Sequence, residues 1–158
     1  MQPETINAIQ PFTDRTHCPD EYRDASGGKV GYHNGDTGIM KFSGLDANSA
    51  SGLRKSLPRE NLNLRVAKGA PRVGTILNAV EKSGGKMEAH GFVVPPNRTD
   101  EQVSVGGVIV YEDTDNPLKA KMVAMRGGIN DREMTPPKVC RPIESPHRPG
   151  EKAWLMSW

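Results

Sequence analysis

The chain has 158 residues, 35% of them hydrophobic, and its 21 Lys or Arg against 19 Asp or Glu leave a formal net charge of +2. That length supports one domain with a sizeable core, and 17 Gly with 13 Pro call for many turns around it. No run approaches the ~18 consecutive apolar residues of a membrane span. The start MQPETINAIQPFTD lacks the basic and apolar parts of a secretory leader, so neither a membrane nor a secreted protein is expected.

Charge and pattern divide the chain into three. Residues 1–27 carry two basic and five acidic groups, are rich in turn formers and show no hydrophobic period. They read as an extended N-terminal arm. Residues 28–128, with fourteen basic and ten acidic groups, read as a β-rich domain. It opens on KVGYHNGDTGIMKFSG, where Asn34-Gly35 between two apolar runs is a hairpin signal. Asp46 can cap a short helix from Ala47 to Leu57, ended by Pro58. LNLRVAKG alternates Leu62, Leu64 and Val66 with polar neighbours and reads as a half-buried strand.

PRVGTILNAVEKSGG admits two structures. Val73, Ile76, Leu77 and Val80 share a helical face with Pro71 ahead and Gly84 behind. Against this stand the β-branched Val73, Thr75, Ile76 and Val80, and Gly74, which costs a helix interior ~1 kcal/mol. A hairpin is preferred and a helix over 71–84 is the alternative. MEAHGFVV, VSVGGVIVYED and KAKMVAM read as strands, with a turn at Thr114–Pro117 and a bulge or close approach at Gly106-Gly107. In residues 129–158, Pro136, Pro137, Pro142, Pro146 and Pro149 exclude a helix or central strand. This is a Pro-rich C-terminal arm of extended backbone. The expected fold is mainly β: a small barrel- or sandwich-like body with one short helix and extended arms, or else α+β with the helix at 71–84.

The run Lys68–Val94 resembles head decoration proteins of tailed phages. Val73-Gly74, Ala79, Gly84-Gly85 and Gly91 match a strand with V-G-x-x-x-x-A, a glycine turn and a second strand closing on glycine. The resemblance covers 27 residues and implies a small β body whose arms lie on a capsid, hence a virion or cytoplasmic location.

Few residues point to chemistry. His17, Cys18, His33, His90, Cys140 and His147 lack the short spacings of a zinc site, so no metal is expected. Cys18 and Cys140 are expected as free thiols. Glu112, Asp113, Asp115 and Asn116 could gather around a hard cation, but they lack the glycine and closing glutamate of a calcium loop, and a turn explains them. With no nucleophile–base pair or phosphate loop in sequence, neither enzyme activity nor a cofactor is expected. A small enzyme is the third reading.

Two groups point to binding. Arg54, Lys55, Arg59, Arg65, Lys68 and Arg72, against Glu60 alone, could meet a polyanion or an acidic protein. Their window holds no aromatic residue for base stacking, which makes nucleic acid the secondary reading. The tail EKAWLMSW holds both tryptophans. In either a helix or a strand Trp154 and Trp158 share a side, and two wet indoles are an aggregation hazard. Either the tail folds back on its own body as an edge strand or latch, or Trp154, Leu155, Met156 and Trp158 anchor in a partner or another copy. The expectation is a non-enzymatic assembly protein docking onto a larger protein shell such as a capsid.

Overall fold

A computed structural model describes residues 5, 9, 40–94, 102–145 and 147–158. Strands β1 (Met40–Leu45), β2 (Met87–Val94), β3 (Gln102–Tyr111), β4 (Val139–Glu144) and β5 (Lys152–Ser157) form one antiparallel sheet in the order β1-β2-β3-β5-β4. The body is β-rich as expected, and the sheet is open rather than a closed barrel. Helices α1 (Ala47–Ser56), α2 (Arg59–Leu62), α3 (Val73–Lys82) and α4 (Pro117–Arg126) complete the described elements.

The main core lies between the sheet and α1 and α3. Phe42, Leu45, Met87, Ala89, Val93, Trp154 and Met156 meet Leu53, Val73, Ile76, Leu77 and Val80 there. A bulge lets β3 serve this core along its whole length. Val103 and Val105 face the helices; the register then shifts at Gly106, and Val108 and Val110 return to the same face. Behind the sheet, Ile109, Tyr111, Ala153 and Leu155 form a second cluster. Gly107 is required between them, because a Cβ there would overlap the Met156 carbonyl and lie 2.8 Å from His90 Nε2.

Three segments differ from expectation. The favoured hairpin over 71–85 is the helix α3. It buries Val73, Ile76, Leu77, Ala79 and Val80, and roughly 1.5–3 kcal/mol per large side chain outweighs the few tenths per β-branched residue and the cost of Gly74. Gly84 and Gly85, at φ 64° and 88°, then turn the chain into β2. The segment placed as the first strand of the decoration-protein pattern is therefore helical. KAKMVAM lies in α4, where Ala120 and Ala124, four apart, are the buried pair. In LNLRVAKG, Leu62 ends α2 and the rest is a loop with a single bridge, Arg65 to Arg72.

The expected helix at 47–57 is present as α1, with Asp46 accepting a bond from the Ser49 amide at 2.9 Å. In the N-terminal arm Thr5 and Ile9 are helical and buried; Ile9 joins the main core, and Thr5 Oγ1 bonds Ser56 Oγ at 2.6 Å. The Asn34-Gly35 hairpin, His17, Cys18 and His33 lie outside the described residues.

The Pro-rich segment supplies two of the five strands. β4 tolerates Pro142 because it is an edge strand among the described residues. β5 begins after Pro149 and runs inside the sheet between β3 and β4. The tryptophan tail thus folds back on its own body, as an interior strand rather than an edge strand or latch.

Candidate docking surface

The placement of the tail decides which groups are left to meet a partner. Trp154, Leu155 and Met156 are each at most 3% exposed, and Trp158 is half-buried against the core. Trp154 Nε1 donates to the Thr114 carbonyl at 3.0 Å and Trp158 Nε1 to the Thr135 carbonyl at 2.8 Å. Trp154 is buried, Trp158 is partly covered, and both indoles are hydrogen-bonded within the chain, so neither N–H calls for a partner.

Among the described residues, the large apolar side chains left outside are Leu64 and three on α4. Asn116 caps this helix by accepting from the Leu118 amide at 3.0 Å, and Pro117 occupies the first turn. With Ala120 and Ala124 turned to the sheet, Leu118 (62% exposed), Met122 (39%) and Met125 (49%) form a stripe at i, i+4 and i+7 on the opposite side. Lys119, Lys121 and Arg126 flank the stripe, and α4 contains no acidic residue. Of these cations Lys119 lies 3.9 Å from Glu112. The helix packs beside β4, where Cys140 sits half-buried with a free thiol; burial pushes that thiol up, and nearby Lys121 opposes the shift. Pro142 has no N–H to offer, so it blunts the outer edge of β4 against strand addition.

The basic stretch separates into two kinds of residue. Arg54 Nε bonds Glu81 at 2.8 Å. Arg72 holds Asp131 in a fork, Nε and Nη2 each at 3.0 Å, and Arg65 Nη2 lies 3.8 Å from the same carboxylate. Burial alone would raise the Asp131 carboxyl, but bonds from Arg72, Thr75 and the Arg132 amide hold it well below the usual range. These three arginines fasten α1, α3 and the 131 turn together. Lys55, Arg59 and Lys68 remain exposed.

The acidic turn is closed by lysines. Lys152 lies 3.1 Å from Asp115 and 3.6 Å from Asp113, and Lys86 lies 3.1 Å from Glu112. Behind the sheet is a polar knot that sequence reasoning missed, because its members are scattered over 60 residues. The Tyr111 hydroxyl donates to Glu88 and shares a 2.8 Å bond with Ser145, while Arg148 stacks 3.9 Å over the Tyr111 ring. Burial, then the bond to Glu88, pushes the phenol above its ordinary range. This knot ties Ser145 and Arg148 to β2 and β3. Among the described residues no group of three His, Cys, Asp or Glu could hold a metal, and no helix is long and apolar enough to cross a membrane.

No family model, curated protein or solved structure matches the chain.

Proposed function

We propose that this chain is a non-enzymatic assembly protein that docks by the α4 face onto a larger protein surface, an apolar groove rimmed with carboxylates, such as a surface of a capsid. The observation that carries this reading is the stripe of Leu118, Met122 and Met125, left 39–62% exposed on a helix whose charges are all positive. A second copy is a poor occupant of that face, since two α4 helices would set Lys119, Lys121 and Arg126 against their own kind.

The magnitude favours a multivalent setting. Covering what remains exposed of the three side chains contributes about 3 kcal/mol. That falls short of the ~4 kcal/mol of a millimolar complex. Single docking events are therefore weak, and occupancy of a shell comes from repeated sites and charge attraction.

Particles assembled without this chain, mixed with the purified protein and pelleted, test the proposal. Met122→Glu is expected to leave the melting temperature within a degree or two, since the side chain is outside the core, and to cut the pelleted fraction severalfold. Equal pelleting of wild type and variant overturns α4 as the docking face.

A further inference from the structure

A second surface feature has chemistry of a different kind. A cleft of about 480 Å³ runs beside α3, lined by Thr75 and Asn78 of that helix, by Asn63 and Asn130, and by Arg54 and Arg72. Its size falls among ordinary small-ligand sites, roughly 300–1,000 Å³. Among the described residues, the charged side chains in the lining are the two arginines, and no carboxylate lines it.

Both guanidiniums are held from outside the cleft. Glu81 takes Arg54 Nε, and Asp131 takes Nε and Nη2 of Arg72. Among the described residues this leaves both terminal nitrogens of Arg54 and Nη1 of Arg72 as donors without an acceptor. The side-chain amides of Asn63, Asn78 and Asn130 also have no partner among the described residues. Each lining arginine is paired with one carboxylate, Arg54 with Glu81 and Arg72 with Asp131, and Arg65, outside the lining, adds a positive charge 3.8 Å from Asp131.

We infer that this cleft binds a small molecule bearing an oxyanion, a phosphate or a carboxylate. Arginines already fixed through Nε lose little side-chain entropy on binding, and their planar forks suit two-oxygen groups. Carboxamides provide donors and acceptors for the uncharged remainder of the ligand. The site is independent of α4 and stands whether or not α4 docks.

The test is a titration of the isotope-labelled full chain, followed by backbone amide shifts, with inorganic phosphate, with citrate, and with chloride at matched ionic strength. Saturable shifts centred on Asn63, Thr75, Asn78 and Asn130 with phosphate or with citrate support the site, and the tighter of the two identifies the kind of oxyanion. Asn78→Asp and, separately, Asn130→Asp add a negative charge to the lining without breaking either arginine pair; each is expected to weaken the response ~tenfold or more. Shifts that chloride reproduces, or that spread over exposed lysines, overturn the inference. So does an undiminished response in whichever variant keeps a wild-type spectrum.

Discussion

Trp154 and His90 sit on opposite sides of the sheet, and each shows what burial demands of a single side chain. The indole of Trp154 needed one acceptor and has it in the Thr114 carbonyl. The imidazole of His90 lies fully inside, with Nε2 3.1 Å from the Met156 carbonyl and 3.4 Å from Ser157 Oγ. Burial, helped by the charge of Lys41 and only partly opposed by the Met156 bond, lowers its pKa from 6.5 to about 4. The folded chain thus resists a proton that the unfolded chain accepts below about 6.5. Stability from this residue is complete above that pH, declines as pH falls, and is lost by about 4; the span is worth about 3 kcal/mol. Melting temperatures between pH 7 and 4.5 are expected to drop for wild type and to drop much less for His90→Gln, which keeps a donor for Met156. Parallel curves for the two proteins would contradict this. None of it was visible in sequence, where His90 was one of four scattered histidines.

Elements were legible where the residues that decide them are neighbours. α1 could be read from Asp46 and Pro58, and the bulge in β3 from Gly106-Gly107. α3 and α4 were harder. Short segments holding β-branched residues, or alternating lysines with apolar residues, fit period 2 as well as 3.6, and which side is buried is settled by the sheet they meet. For α4 the cap Asn116-Pro117 was a local clue; Ala120 and Ala124 as the buried pair were not, since small residues carry little hydrophobic signal. β5 was the hardest, because its partners lie in β3, more than 40 residues away, and in β4. Its interior place changes what truncation does. Deleting residues 151–158 removes one strand from the middle of the sheet and takes Trp154 and Met156 from the core. Large-to-small losses of 3–5 kcal/mol for a tryptophan alone approach the whole stability of a domain. The truncated chain is expected to lose cooperative thermal unfolding by calorimetry. A truncated protein that melts sharply, near wild type, would mean the tail is separable after all.

At the scale of the molecule, the six cations at 54–72 looked like one patch and are two kinds of residue: three ion-paired arginines that join elements, and three exposed side chains. Only the fold could separate them, because Glu81 and Asp131 lie elsewhere in the chain. The same holds for the outer surface. With Trp154 inside and Trp158 half-buried, the apolar stripe of α4 becomes the principal uncovered hydrophobic feature among the described residues, flanked by positive charge and beside a proline-blunted sheet edge. Hydrogen exchange of the full chain, free and bound to assembled particles, tests docking by this face most directly. Added protection on binding is expected to concentrate in 117–126 and the neighbouring 139–144. Protection centred elsewhere, with α4 exchanging as fast bound as free, would contradict it.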